Sequence, residues 1–301
     1  MGRDKAAACN RELGAELRKR REAAGLSGAQ VAHHTGWDKS KVSRIESGHI
    51  GLSPVDVLHY LGACRVWAPE AKEILALSET AQRKLGYWVD GHSKWLAESG
   101  TSLIFHEATA DRSVTYEPLY LPGLLQTADY ARVWLDQPPI EAAEAAAMVQ
   151  VRMDRQQVLH RPQRTPFIFF VHEQALRLQV GSVAVMQEQL LHLVLMTNLP
   201  QVTLRVVPAS AGERAVFGGP FRLFEFRDHH PLVYLDGIAT GFFLDDEEYV
   251  ARYRQLIPEL EAIAMDEGQS REFAATLADE HDRGSLERNG GIYHLEEEHL
   301  Q

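Results

Sequence analysis

Apolar residues recur at helical spacing through the first eighty positions. Leu13 and Leu17 stand four apart, with Arg20 at the next position of the same stripe. Residues three and four apart share a helix face, so a first helix is expected over about Asn10 to Ala24. Val31 and Ala32 mark the inner side of a short second helix. Val42 and Ile45 mark that of a third. The two lie in one stretch, LSGAQVAHHTGWDKSKVSRIESG, Leu26 to Gly48. Ser27 is placed to cap the first of the pair. Gly36 stands where the chain must turn sharply, and glycine enters positive φ without a steric cost. Asp38 is placed to cap the next helix, which Gly48 ends. A fourth helix over Leu52 to Cys64 opens on Ser53 and Pro54, proline being favoured at the first helical position. Its inward stripe reads as Val55, Leu58 and Leu61. A fifth runs from Ala68 to about Arg83, opened by Pro69 and Glu70.

Past residue 100 the pattern mixes. Helical periodicity occupies 101–110, 124–136, 141–160, 182–197, 246–267 and 270–282. Strand-like runs occupy 112–118, 166–172, 202–207, 221–227 and 232–236. In FRLFEFR, from Phe221, both alternating faces carry apolar side chains, so this strand is expected to be covered on both sides. The expected fold is an all-α head of about five helices followed by an α+β domain, without internal repeats. The head takes 1–84 and the body 101–282. Residues 85–100, rich in Trp and Tyr and broken by Gly86 and Gly91, read as a joint. Its aromatics either pack the head onto the body or face a partner. The ends carry no apolar periodicity. Residues 1–9 are expected to be mobile, with Arg3 and Lys5 as arm contacts, and 283–301 to be disordered.

Charge sharpens the division. The whole chain carries −11, yet residues 1–84 hold 14 Lys and Arg against 10 Asp and Glu, a net of +4. The remainder holds 17 against 32, a net of −15. A basic head on an acidic body is the asymmetry expected when one domain touches nucleic acid. Cys9 and Cys64 are too few for a disulfide scaffold and fit a reducing compartment. No stretch approaches the ~18 apolar residues of a membrane span, and MGRDKAAACN lacks a signal-peptide core. A cytoplasmic location without membrane contact is expected.

The outer face of the third helix carries Lys39, Ser40, Lys41, Ser43 and Arg44, three cations and two hydroxyls. Such a face suits phosphates and base edges in a major groove. An amphipathic hairpin that binds no DNA is the alternative, but turn, caps, core and charge agree on the first reading. The stretch resembles the helix-turn-helix of phage-repressor-like (XRE, Cro/C1-type) regulators over residues 10–65, with SKVSRIESG its most specific part. The resemblance implies that the third helix is the recognition helix. Lys39, Ser40 and Ser43 then meet bases, and Arg44 and Lys41 meet bases or backbone. Ser27, Gln30 and Asp38 join them as candidate contacts, and Arg18 and Lys19 are candidates for the phosphates. It further implies a mostly buried pair between Arg21 and Glu46. Arg20 departs from the family, which usually has an apolar residue there, and suggests either a snorkelling side chain or a looser first helix.

The body also resembles a known family. YEPLYLPGLLQTADYAR, RMDRQQVL, VHEQALRLQVG and GPFRLFEF match the DUF5753 (Scr1-type antitoxin-like) domain of actinobacterial regulators over about 105–275. VYLDGIATG departs from it at Asp236, where Glu is frequent. In LPGLLQTADYAR, Leu124, Leu125, Tyr130 and Ala131 share one side. They either pack a helix on the sheet or floor a pocket whose polar groups are Glu107, Gln126, Thr127, Tyr130, Arg152 and Arg155. The two arginines are three apart and could hold a carboxylate or pair with local acids. No metal-ligand spacing, phosphate loop or nucleophile elbow is present, so neither cofactor nor catalytic residue is expected.

These readings converge on a dimeric, sequence-specific DNA-binding regulator, not an enzyme, acting on a palindromic double-stranded operator. Its body senses a small-molecule effector or docks a small protein. The alternative is an antitoxin-like interaction module that holds a small partner protein and binds DNA mainly for autoregulation.

Overall fold

The computed structural model describes residues 8–81, 87–90, 97–136, 140–161, 165–236 and 240–297. In chain order the helices are α1 (Ala8–Ala23), α2 (Gly28–Thr35), α3 (Lys39–Glu46), α4 (Pro54–Ala63), α5 (Ala68–Ala81) and α6 (Ala97–Thr109). They continue with α7 (Ala128–Leu135), α8 (Ala142–Arg155), α9 (Glu173–Arg177), α10 (Val183–Met196), α11 (Glu247–Ile263) and α12 (Glu267–Glu297). The strands are β1 (Tyr87–Asp90), β2 (Arg112–Glu117), β3 (Phe167–His172), β4 (Val202–Val207), β5 (Phe221–Glu225), β6 (Leu232–Asp236) and β7 (Thr240–Leu244). An all-helical head thus precedes a region of helices mixed with strands, the expected class.

Two compact units divide the chain: Met1–Asp111 with Leu223–Arg254, and Arg112–Arg222 with Gln255–Gln301. The head therefore shares its unit with α6 and with strands from late in the sequence. Its own core joins Leu13 and Leu17 to Val31, Val42, Ile45, Leu52, Val57, Tyr60 and Leu61. A second cluster in this unit joins Ala8 and Cys9 of α1 to Leu103, Phe224, Leu232, Tyr234 and Phe243. Here β7 pairs antiparallel with β1 on one side and with β6 on the other, with Tyr234 opposite Phe243.

In the other unit β2, β3 and β4 run parallel, registering Val114 with Ile168 and Phe169 with Leu204. Parallel neighbours need crossover connections, which α7, α8 and α10 supply. One core buries Phe167, Phe169, Leu190, Leu193, Leu204 and Val206 with Leu277 of α12.

Several expectations are corrected. The inward stripe of α4 is Val57, Tyr60 and Leu61, not Val55 and Leu58, which are 75% and 49% exposed. The buried set follows the i, i+3, i+4 pattern that a ~100° advance per residue imposes, whereas the expected stripe drifted around the helix. Of the two readings of Arg20, the snorkelling one holds. Its guanidinium reaches out to Glu16 and Glu70, leaving only the stem on the core side. Within the expected joint, Tyr87–Asp90 forms a strand. Gly86 and Gly91 lie outside the described residues, as do Arg3 and Lys5. Of the tail expected to be disordered, 283–297 continue α12, and 298–301 lie outside the described residues. β7 and the short α9 had no expectation. β5 is covered as expected, with Phe221, Arg222, Leu223 and Phe224 all buried.

Candidate nucleic-acid interface

The hairpin of α2 and α3 is fixed at each end by its own residues. The Gln30 N–H donates to Ser27 Oγ at 3.3 Å, and the Gln30 side-chain oxygen accepts from the Ser27 N–H at 2.8 Å. This reciprocal capping box satisfies two N-terminal donors that the helix leaves without partners. At the far end Gly36 adopts φ 68° and Trp37 N–H donates to Ala32 O at 2.9 Å. Asp38 then takes the N-cap position of α3, but its carboxylate makes no capping hydrogen bond. That part of the expectation is corrected. Past α3, Gly48 lies so close to α1 that a Cβ there would stand 2.6 Å from the Arg11 Cα.

α3 is pinned to α1 by one carboxylate. Arg21 Nε donates to Glu46 Oε1 at 2.8 Å, and Arg21 Nη2 to Oε2 at 2.9 Å. Arg21 Nη1 donates to Leu26 O at 2.8 Å, and the Tyr60 hydroxyl donates to Glu46 Oε1 at 2.7 Å. The two side chains of the ion pair are 12% and 11% exposed. The hydrogen bond to Glu46 raises the Arg21 pKa, keeping the guanidinium charged. Burial and the same carboxylate push the Tyr60 phenol up.

With Val42 and Ile45 facing the core, Lys39, Ser40, Ser43 and Arg44 are all exposed on the opposite side. Lys41 is not among them. Its Nζ lies 4.0 Å over the Trp37 ring, a cation–π contact that holds it half-buried beside the turn. Ser27 and Gln30 are exposed at the start of α2, with their oxygens engaged in the cap. Arg18 and Lys19 project from α1, Arg18 beside exposed Glu22 at 2.8 Å and Lys19 beside partly buried Glu16 at 3.6 Å. Such surface pairs are weak and can be exchanged for phosphates.

A buried polar cluster two turns earlier on α1 was absent from the sequence reading. The Arg11 guanidinium stacks 3.8 Å over the Phe226 ring. Glu12 accepts a hydrogen bond from the Ser102 hydroxyl and lies 3.9 Å from His106 Nε2. His106 is completely buried, and burial together with the charge of Arg11 holds its pKa well below the ordinary value. Nearby, the rings of His49 and His229 are 5.9 Å apart, and burial pushes His229 down to about 4. Two charged residues followed by an apolar stripe on α1 were the available signal, since such positions are ordinarily read as solvent-facing.

The second set of candidate residues gathers mostly around the PGLLQT turn. Gln126 Nε2 donates to Leu121 O at 2.7 Å, and Arg152 Nη1 donates to Gln126 Oε1 at 2.8 Å. Thr127 caps α7 through Tyr130 N–H, and the Tyr130 hydroxyl accepts from Leu121 N–H. A Cβ on Gly123 would stand 2.8 Å from Arg155 Nη2, so both arginines approach this turn. Glu107 lies in the other compact unit, on α6. Two further residues complete the turn. Gln189 accepts from Thr127 N–H and donates to Leu125 O, each at 2.7 Å, and Gln156 donates to Gln126 O. Gln189 is fully buried on the inner stripe of α10 between Met186 and Leu190, where a lone amide is its sequence signal. The cluster does for the turn what a short strand would do: it satisfies buried backbone groups.

Among the described residues no group of three or more His, Cys, Asp or Glu is placed to hold a metal ion, and no helix is long and apolar enough to cross a membrane. Two family models match the chain. One, described as a helix-turn-helix domain, covers residues 12–73. The other, described as a domain of unknown function (DUF5753), covers residues 101–276. No curated protein and no solved structure matches.

Proposed function

We propose that this chain, which belongs to the DUF5753 family and carries a helix-turn-helix domain in front of it, is a sequence-specific transcriptional regulator. It acts as a homodimer on a two-fold operator, and its C-terminal domain supplies the input. The helix-turn-helix domain supports the DNA-binding role by itself. The observation that carries the finer reading is the outer face of α3. Lys39, Ser40, Ser43 and Arg44 are exposed together on a helix held from behind by the Arg21–Glu46 pair. Side chains of this kind read base edges when their backbone is fixed.

The input reaches the reading helix through α1. One side of α1 holds α3 by Arg21, and another holds Phe226, Ser102 and His106 by Arg11 and Glu12. Those three residues lie within the segment matched by the DUF5753 family. A small effector or a small protein that shifts α6 or β5 therefore acts on the helix that positions the DNA contacts. Footprinting of the full chain on the DNA upstream of its own coding sequence tests the reading. A protected two-fold site is expected. Protection without any sequence preference would contradict it.

A further inference from the structure

All large apolar side chains exposed in the described residues of the head lie on α4 or just beyond it. Val55 is 75% exposed, Leu58 49% and Trp67 80%. Val55, Leu58 and Gly62 are spaced three and four apart, so they share one face, opposite buried Val57, Tyr60 and Leu61. Gly62 is a second and independent observation. It is exposed, and a Cβ placed on it meets nothing within 4 Å. Among the described residues nothing calls for glycine there, and glycine weakens a helix relative to alanine. What a bare glycine on a helix face permits is the close approach of another backbone.

We propose that the outer face of α4 is the surface on which a second copy of this chain docks, α4 against α4, antiparallel about a two-fold axis. A two-fold contact must be complementary to itself, so one helix must carry both a projection and its socket. Here Leu58 projects and Gly62 leaves the socket, one turn apart on the same stripe. In the antiparallel register that seats Leu58 of one copy over Gly62 of the other, Val55 faces the stem of Arg65. The same register brings Asp56, near the start of α4, towards Arg65, past its end, so opposite charges meet on both sides of the axis. Arg65 is exposed, and its φ of 58° ends α4 abruptly and leaves Trp67 standing at the start of α5. An exposed tryptophan beside an apolar stripe is the residue type that most often dominates an interface. A different protein partner would have no need of projection and socket on the same helix.

The inference deepens the dimeric reading above, but its test contains no DNA and so fails or succeeds apart from operator binding. Full-length protein is followed by sedimentation across a concentration series, as wild type and as Leu58→Glu, Leu58→Ser and Gly62→Leu. These positions are exposed, and circular dichroism is expected to be unchanged. Wild type is expected to dimerise. Each variant is expected to raise the dissociation constant by about tenfold or more, as loss of a central contact does. Leu58→Ser does so without adding charge, which guards against a fold defect. A wild-type monomer would leave the face to some other protein and overturn the proposal. A dimer that survives all three substitutions with wild-type affinity would overturn it equally.

Discussion

The Tyr60 hydroxyl donates to the same Glu46 oxygen that receives Nε of Arg21, at 2.7 Å and 2.8 Å. One carboxylate thus ties α1, α3 and α4 together behind the exposed face of α3. Glu46→Ala removes the acceptor from both donors and leaves a nearly buried guanidinium without its charge partner. The expected loss of stability is about 3 kcal/mol, with a fall in DNA affinity beside it. Tyr60→Phe leaves the ion pair in place and is expected to cost only about 1 kcal/mol. Thermal unfolding of both variants checks the order, and equal melting temperatures would contradict it.

Gln189 offers a second test, in the other unit. Its amide satisfies Thr127 N–H and Leu125 O, both buried in the PGLLQT turn. Gln189→Leu keeps the volume and strands both backbone groups. Each unsatisfied group costs roughly 1–3 kcal/mol, so denaturant melts should show a loss of about 2 kcal/mol or more. A variant as stable as wild type would mean that water replaces the amide there.

The head was legible in the sequence because its determinants are local. Ser27, Gly36 and Ser53 act on backbone within a few residues, and Val31, Val42 and Ile45 show their faces by spacing alone. Most of what stayed hidden depends on contacts distant in sequence. One missed contact is local: Trp37, four residues before Lys41, lies under its Nζ. Arg11 and Glu12 look solvated until Phe226 and Ser102, far along the chain, arrive against them. The α4 stripe was misread because both faces of that helix carry apolar residues, so hydrophobicity could not say which one faces inward.

His106 gives the fold a signed dependence on pH. Burial and Arg11 keep it neutral in the folded state, while in the unfolded chain it titrates near the ordinary value of about 6.5. Below that pH the unfolded state binds a proton that the folded state refuses, so stability falls as pH drops. His229, pushed down to about 4, adds to the same trend until pH approaches that value. The melting temperature should therefore decline from pH 7 to pH 5. His106→Gln should flatten the decline over this interval, and an unchanged slope would count against a neutral His106.

The central claim is that exposed residues of α3 read base sequence while those of α1 and the Trp37-bound Lys41 do not. Binding-site selection from random duplexes, with full-length wild type, Lys39→Ala, Lys41→Ala and Lys19→Ala at matched salt, tests it most directly. Lys39→Ala should relax the motif at one base pair in each half-site, by about 1–3 kcal/mol. Lys41→Ala should return the wild-type motif. Lys19→Ala should also return it, with all sequences weakened alike and the salt slope reduced by about one unit. If Lys39→Ala selects the wild-type motif unchanged, α3 is not the helix that reads the operator.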